Sequence, residues 1–299
     1  MSNTIENRSE ILFIYQVKDA NPNGDPLEEN MPRMDPDTGV ATVTDVRIKR
    51  WIRDYWHARE GKDLWVEGET SEIKTAKKRI EELKKQYPDE DVDELAKKLI
   101  DVRVFGAVMP AKGSKSVTYT GPVQFSNFNR SFHRVQPVVL QGTAAFATND
   151  NASQRSFRED RFLHYACIGV YGIVNEVAAK TTGMTEEDRQ LLLKGLWYGC
   201  LDLISRSKFG HLPLMLLHIK YKDGFRIGNL TQLVDFKREV EEDERIRDID
   251  DFTLDLTRLA DKLEANQEKI LSVEYKMDSR VRFSGTSPKD LLKAKEMEL

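Results

Sequence analysis

A run of turn residues, Asn-Pro-Asn-Gly-Asp-Pro at positions 21–26, constrains the first part of this chain most strongly. Its two prolines and its glycine disfavour both helix and strand. The residues before it, 10–17, are apolar and β-branched, a pattern typical of a central strand. We therefore predict that a buried strand delivers the chain into a shaped loop at positions 21–26.

A basic amphipathic helix is predicted after this loop and a second turn at residues 35–39. Thr44 is a good N-cap and Asp45 places an acid in the first turn of a helix over residues 45–56. At about 100° per residue, apolar and basic side chains fall on opposite faces: Ile48, Trp51, Ile52 and Tyr55 against Lys49, Arg50 and Arg53.

The basic face of this helix predicts a cationic ridge. Asp45 lies at the helix start and Asp54 to one side, so we expect the ridge to lack offsetting acids. Bases one and two turns beyond a hydroxyl and free backbone N–H groups suit a phosphate backbone. The alternative is a solvated face that serves only solubility.

The charge of the chain is unevenly distributed. Residues 235–268 hold 13 acids and 6 bases, which leaves 37 acids and 40 bases elsewhere, although the whole chain has a net charge of −4. A basic groove outside the late acidic stretch is therefore compatible with the composition.

Composition also narrows the class of protein. The 299 residues, 39% of them hydrophobic, suffice for one large domain or two small ones with a true core. No apolar run approaches the roughly 20 residues that cross a bilayer, and the N-terminus lacks the features of a signal peptide. We expect a cytoplasmic protein without a membrane partner.

Motifs for common chemistry are not evident. Phosphate-loop, dinucleotide, zinc-protease and nucleophile-elbow patterns are missing from the sequence. Cys167 and Cys200 are isolated, so both are expected in the core. The five histidines show no pairing at i, i+4, and the acids at positions 25, 28, 29 and 35 are interpreted as ordinary loop acids rather than Mg²⁺ ligands. We predict no catalytic residues, no metal and no cofactor.

The remaining chain predicts an α+β domain of the ferredoxin-like or RRM type with a helical insert. Charge-rich helices are predicted over 69–86 and 89–102, and a helix over 185–205 carries an apolar stripe expected in the core. An acidic helix is predicted over 252–264. The further strands are predicted at 117–125, 135–146, 162–177, 212–221 and 270–275.

Two other segments carry basic residues. The polar stretch 147–161 places Phe157 between Arg155 and Arg158, a combination that can stack on bases while holding phosphates. The turn at 205–210, after the long predicted helix, contributes Arg206 and Lys208.

Several blocks of the sequence resemble a known family. Residues 21–26, Pro-Arg-Met-Asp at 32–35, the Thr-Gly turn at 38–39 and residues 43–53 are similar to the crRNA-binding backbone subunit of type I CRISPR–Cas surveillance complexes (Cascade). Residues 120–125 and 174–176 extend the match, which runs over most of 9–221. The resemblance is greatest to the type I-B form, within the RAMP superfamily.

This resemblance implies a hand-like structure. The RRM/ferredoxin-like palm would comprise residues 1–59 and 103–299, the inserted helical fingers 60–102, and a β-hairpin thumb would lie within about 130–161. Copies of the subunit would stack along the guide, each thumb interrupting its pairing with target. The implied partners are crRNA, the target DNA strand, neighbouring copies and other Cascade subunits.

Candidate RNA-binding residues follow from the basic segments and the resemblance, in which the family's hydroxyl, lysine and arginine fall on Thr44, Lys49 and Arg53. The full set of candidate RNA-binding residues is Asn21, Asn23, Thr44, Arg47, Lys49, Arg50, Arg53, Arg130, Arg134, Arg155, Phe157, Arg158, Arg206 and Lys208.

Two alternatives to this function stay open. The first is an RNA endonuclease of the related type III kind, in which Glu29 would be the residue nearest to the position of the catalytic acid. The second is a free-standing RRM-like module.

Overall fold

A computed structural model describes residues 4–68, 75–110, 116–143 and 157–299. The strands within these ranges are, in chain order, β1 (Ser9–Ala20), β2 (Gly24–Asp25), β3 (Met31–Pro32), β4 (Val40–Thr44), β5 (Gly106–Met109), β6 (Val117–Thr120), β7 (Val123–Phe125), β8 (Phe128–Arg134), β9 (Pro137–Thr143), β10 (Phe157–Val174), β11 (His211–Tyr221), β12 (Asp235–Arg238), β13 (Phe252–Asp255), β14 (Ile270–Met277) and β15 (Ala294–Glu296).

The helices complete an α+β architecture, as predicted. Short 3₁₀ helices lie at Pro26–Glu28 and Leu230–Leu233. The α-helices are α1 (Asp45–Ala58), α2 (Ala76–Gln86), α3 (Val92–Lys98), α4 (Ile100–Phe105), α5 (Glu176–Thr182), α6 (Glu186–Leu201) and α7 (Thr257–Ala265). Among the described residues, none of these helices has the length and hydropathy needed to cross a bilayer.

A mostly antiparallel sheet forms the centre of the molecule, in the order β15-β14-β11-β1-β10-β8-β4, with β7 and β9 also pairing with β10. Strand β1 pairs antiparallel with β10 on one side and β11 on the other. The only parallel pair in this described sheet is β14 with β15. The prediction that the first apolar run is a central strand is confirmed.

Strand β1 is apolar on both faces because both faces of the sheet are covered. Phe13 and Tyr15 point into one core cluster, which they share with α1, α4 and α6. Leu12 and Ile14 point into a second cluster on the opposite face, built with α7, β13 and the segment before β12. The sheet is thus the middle of three layers.

Helix α1 lies directly against α6. A Cβ on Gly199 would lie 2.8 Å from the backbone oxygen of Trp51, so only glycine permits this close approach. The indole N–H of Trp56 also donates to the backbone oxygen of Leu191 at 2.8 Å. These contacts hold α1 rigidly on the sheet, and with it the loop before its first turn.

The inserted helices close over a small core of their own. Leu83 of α2 packs with Leu95 and Leu99 and with Met109 of β5. Leu83 is the one buried residue of α2, so this charge-rich helix packs on one side only. Val104 and Phe105 of α4 join the main core instead, so α4 links the insert to the central sheet.

Several predicted elements have different bounds in the structure. The strand predicted over 117–125 is two strands, because Gly121 and Pro122 break it between β6 and β7. The strand predicted over 135–146 is mainly β9, Pro137–Thr143, and β8 precedes it. The predicted helix 252–264 is wrong in its first part: Phe252–Asp255 is strand β13, and only Thr257–Ala265 is helical. Part of the helix predicted over 69–86 lies outside the described residues.

The long helix is confirmed in type and start. Thr185 caps α6 in a capping box with Asp188, and the helix ends at Leu201 rather than 205. The predicted stripe faces the core, as Leu192, Leu196 and Cys200 are fully buried. Cys167 and Cys200 are free, buried thiols, also as predicted, and burial raises the pKa of both.

Candidate nucleic-acid interface

Asn21 ties together the three segments that form the candidate interface. It is buried, and its amide donates to the backbone oxygens of Asn30 at 2.8 Å and Arg161 at 3.2 Å. Its backbone N–H donates to Ser207 at 2.8 Å. The loop after β1, the β9–β10 hairpin and the turn after α6 therefore meet at Asn21, and its predicted contact with RNA stays a prediction.

Asn23 fixes the start of α1. Its Oδ1 accepts from both the backbone N–H and the hydroxyl of Thr44, each at 2.9 Å. Thr44 does occupy the N-cap position of α1, but its side chain forms no capping hydrogen bond because the hydroxyl is used by Asn23. The turn residues at 21–26 were predicted to disfavour both helix and strand. In the structure, Gly24–Asp25 does pair with Met31–Pro32, as a minimal antiparallel hairpin.

The expected acid-free ridge on α1 is wrong. Lys49 pairs with Asp45 at 2.8 Å and Arg50 with Asp54 at 2.8 Å, both at i, i+4 along the helix. Arg53 donates to Asp101 at 3.0 Å and lies over the ring of Phe105. Helical spacing supplies the first two acids, and the insert supplies Asp101, so all three bases have carboxylate partners.

Arg47 and Lys208 form a different, unneutralised pair. Both are half-buried, and in the described part of the chain neither has a carboxylate within ion-pair distance. The ammonium of Lys208 donates to the backbone oxygen of Asn21. The Arg47 Nε is buried without a hydrogen-bond partner among the described residues.

The pKa shifts agree with this arrangement. Burial and the charge of Arg47 lower the pKa of Lys208 to about 7, and burial also lowers the pKa of Arg47. Burial and the nearby Lys208 lower the pKa of His211 to about 3, so that imidazole is neutral. Two cations are held close together and partly desolvated, which is unfavourable until an anion supplies the missing charge.

A cavity of about 550 Å³ opens between the loop after β1, the β9–β10 hairpin and the turn at 205–210, where Ser207, the neighbour of Lys208 in sequence, lines it. Its two lining arginines, Arg161 and Arg206, are paired with acids. Arg158 and Arg206 share Asp160, at 3.0 and 2.8 Å, and their hydrogen bonds lower the pKa of that carboxyl. Arg161 lies between Glu159 and Glu29. This wall has mixed charge, so it is a weaker anion site than Arg47 with Lys208.

The other predicted residues lie on β8 and at the start of β10 or fall outside the described residues. Arg130 and Arg134 are exposed on β8, at 3.7 Å from Asp35 and 3.4 Å from Glu244 respectively. Arg155 lies outside the described residues. The backbone of Phe157 pairs with Thr143 at the start of β10, but its side chain is not described. The structure thus brings together Asn21, Asn23, Thr44, Arg47, Arg158, Arg206 and Lys208.

In the ranges that the structure describes, no three side chains of the His, Cys, Asp or Glu type converge as metal ligands would.

The family of the chain follows from comparison with known proteins. Residues 7–257 match the family described as CRISPR-associated protein Cas7. The chain belongs to the Cas7 family. A Cas7 protein of Haloferax volcanii is 29% identical over 308 residues, covering 94% of this chain and 89% of that relative. The sequence resemblance is therefore confirmed at the level of the family.

Solved structures agree with the Cas7 assignment at the level of fold. A chain of a CRISPR RNA-guided surveillance complex in a pre-nicking state matches with a TM-score of 0.57 and 14% identity, covering 94% of this chain and 97% of that one. A second CRISPR RNA-guided surveillance complex matches with a TM-score of 0.56 and 14% identity, covering 96% and 94%.

Proposed function

We propose that the chain is an RNA-binding, non-catalytic backbone subunit of a type I-B surveillance complex and holds crRNA. The observation that carries the proposal is the Arg47–Lys208 pair, two half-buried cations without carboxylate partners in the described residues. A phosphate group would supply the anion that this pair lacks, through charge-assisted hydrogen bonds.

Phosphate recognition suits a subunit that must accept any guide. Contacts to the backbone position a nucleic acid but carry no sequence information. The adjoining cavity, between the loop after β1 and the turn at 205–210, provides room for the strand to continue past the two cations. Affinity would accumulate over several copies in register.

The wider assembly is part of the same proposal. The central sheet would be the RRM-like palm, α2 and α3 the fingers, and the antiparallel β9–β10 hairpin the thumb. Neighbouring copies would stack along the crRNA in the cytoplasm, beside other Cascade subunits, and present the guide to a target DNA strand. The tip of the proposed thumb, residues 144–156, lies outside the described residues.

Co-expression with a guide RNA tests this proposal. We expect the chain to elute on size exclusion as a multi-copy RNA-bound assembly, to shrink after ribonuclease treatment, and to yield guide RNAs with diverse spacers on sequencing. The same assembly should leave labelled complementary RNA intact in Mg²⁺ or Mn²⁺. In this chain Glu29 stands nearest to the position of the acid that the cleaving relatives use. It is exposed and paired with Arg161, and no group of metal ligands surrounds it among the described residues.

Two other results would favour the alternatives. A chain that elutes as a monomer with and without guide would be a free-standing RNA-binding module. Metal-dependent cleavage at regular spacing, abolished by Glu29→Ala, would make it an endonuclease.

RNA affinity should depend on pH because of Lys208. Its pKa of about 7 in the free protein would rise when a phosphate lies beside it, so binding takes up a proton above that pH. Affinity should be constant below pH 7 and fall up to about tenfold per pH unit above it. Titrations by fluorescence anisotropy between pH 6 and about 9 would measure this slope.

Lys208→Arg is the control for this pH dependence. Arginine stays protonated throughout the range, so the slope should vanish while binding persists. An unchanged slope in Lys208→Arg would assign the titration to another group and remove this support for the phosphate site.

A further inference from the structure

A tight turn fixes the backbone of Lys208 at the end of the central sheet. The backbone N–H of Lys208 donates to the backbone oxygen of Ser205 at 2.9 Å, and the ring of His211 donates to the backbone oxygen of Lys208 at 2.6 Å. A Cβ on Gly210 would lie 1.7 Å from the backbone oxygen of Lys18, so the turn rests against the last residues of β1. The amine of Lys208 therefore projects from a rigid base.

This amine combines partial burial with access from solvent. Lys208 is half-buried, and its amine donates to the backbone oxygen of Asn21. Burial and the charge of Arg47 lower its pKa to about 7, so at neutral pH about half of the amines are uncharged and have a free lone pair. A lysine that is desolvated beside another cation is an activated nucleophile. The geometry thus makes Lys208 a candidate for covalent modification.

The titratable groups packed around the two cations are uncharged near neutral pH. The Tyr15 hydroxyl on β1 and the Cys200 thiol on α6 lie near Arg47, and burial raises the pKa of both. Burial and Lys208 lower the pKa of His211 on β11 to about 3, so its ring is neutral. None of these groups supplies a negative charge.

The carboxylates of α1 do not supply one either. Asp54 acts on Arg47 from farther along the helix, but it is paired with Arg50 at 2.8 Å. The Nε of Arg47 is buried without a hydrogen-bond partner among the described residues. An anion formed on Lys208 would therefore have a partner waiting in Arg47.

Carbon dioxide is the reagent that fits both a nucleophilic amine and an unpaired guanidinium group. The uncharged amine adds to the carbon of carbon dioxide: a C–N bond forms, one C–O π bond opens onto oxygen, and the nitrogen loses a proton to water. The product is a carbamate, which has a carboxylate group that can accept two N–H bonds from Arg47. Acylation of Lys208 would remove the amine charge without supplying an anion, and Arg47 would stay unpaired.

We propose that Lys208 is a carbon dioxide-binding site, at which a reversible carbamate forms and pairs with Arg47 while no RNA is bound. The carbamate occupies the cations to which a phosphate would bind, so carbon dioxide and RNA compete. This competition rests on the proposed RNA-binding function, whereas formation of the carbamate does not.

Chemical trapping tests the modification in the full chain without RNA. Triethyloxonium ethylates a carbamate oxygen to a stable ethyl carbamate, and isotopically labelled carbon dioxide marks the added carbon for mass spectrometry. Trypsin does not cleave after a modified lysine, so the label should appear in the peptide 207–220, which contains no Asp or Glu that the reagent could also ethylate. Lys220 in the same peptide is the internal control. It is paired with Glu186 at 3.3 Å and should stay unlabelled.

Three variants separate the roles of the two cations in trapping. Lys208→Arg should carry no label, because a guanidinium group stays protonated. Arg47→Gln should lower the labelled fraction, because it removes the charge that favours the uncharged amine and that pairs with the carbamate. Arg59→Gln removes an arginine paired with Asp202 at the end of α1 and should leave the labelled fraction unchanged.

The pH gives trapping a further check. At a fixed concentration of dissolved carbon dioxide, the labelled fraction of the wild type should rise as the pH is raised through about 7, because only the uncharged amine reacts. A labelled fraction that is independent of pH would overturn the assignment to this amine.

RNA affinity provides the second readout. Only the unmodified fraction binds, so the apparent Kd should rise about twofold where half of the chains are modified and about tenfold where nine-tenths are. Anisotropy titrations would compare buffers equilibrated with carbon dioxide and with nitrogen at matched pH and ionic strength. Whatever affinity Lys208→Arg retains should not respond to carbon dioxide.

The outcomes distinguish the carbamate from the proposed function. Absence of label at Lys208 in the wild type would overturn the carbamate and leave the proposed function standing. Loss of RNA affinity in carbon dioxide without label would also overturn it and assign the effect to bicarbonate bound as an ion. Label at Lys208 with unchanged RNA affinity would overturn the competition. Absence of RNA binding by the wild type without carbon dioxide would overturn the proposed function itself, and trapping would still decide the carbamate.

Discussion

The double variant Arg47→Gln/Lys208→Gln should bind single-stranded RNA at least about 100-fold more weakly than the wild type. Charge-assisted hydrogen bonds contribute about 1.5–3 kcal/mol each, and every 1.4 kcal/mol is tenfold in Kd. In the described residues neither cation has a carboxylate within ion-pair distance, and burial lowers the pKa of both, so each should gain from a phosphate beside it.

The salt dependence of this variant provides a separate measurement. Each phosphate contact to a single strand contributes about 0.7 to the slope of log K against log salt, so the slope should fall by about 1.4. The free energy of unfolding should not decrease, because the substitutions remove partly desolvated cations that lack an ion-pair partner. Anisotropy titrations at several salt concentrations and urea denaturation would measure the two quantities.

Lys49→Gln/Arg50→Gln is the matched control for this prediction. It removes the same number of positive charges, but from two bases of α1 that are already paired with Asp45 and Asp54. We expect a smaller loss of affinity. Equal losses in the two double variants would mean that RNA affinity depends on the total positive charge of this region, and the Arg47–Lys208 pair would then have no special role.

Arg53→Ala should lower the free energy of unfolding by about 3–5 kcal/mol, the cost of leaving a buried charge without its partner. The Asp101 side chain is 1% exposed, and Arg53 donates to it at 3.0 Å. Asp101 also accepts from the backbone N–H groups of Trp65 and Val66, at 2.7 and 3.0 Å. Arg53 therefore holds the insert against α1, and chemical denaturation with a thermal melt would show the loss.

Two further variants separate this role from a general loss of a surface ion pair. Arg59→Ala removes a pair with Asp202 that is largely exposed, and should cost much less stability than Arg53→Ala because solvent screens the pair. Arg53→Met/Asp101→Asn removes both charges and should recover part of the stability lost in Arg53→Ala. If Arg53→Ala and Arg59→Ala had the same free energy of unfolding, the structural role of Arg53 would be contradicted. Because Arg53 stabilises the fold, a charge-reversing substitution at this position is a poor probe of RNA binding: it would lower stability as well as affinity.

Local patterns predicted the elements whose cause is local. The apolar run of β1, the turn residues after it, the start of α1 and the capping box of α6 are all recognisable within about ten residues of sequence, as are the blocks that identified the family. Where the prediction was wrong, the signal was ambiguous over short range: a turn that splits β6 from β7, and a β13 strand that reads as part of a helix.

The partners of Arg53 and Lys208 were decided by tertiary structure alone. The sequence places Lys49, Arg50 and Arg53 on one face of α1, but Asp101 reaches Arg53 across 48 positions, and only the folded insert brings it there. Lys208 reaches Asn21 across 187 positions, through the pairing of β11 with β1. Periodicity reports which face a side chain occupies, whereas its charge state and its availability to a ligand depend on distant groups and on burial, which only the fold determines.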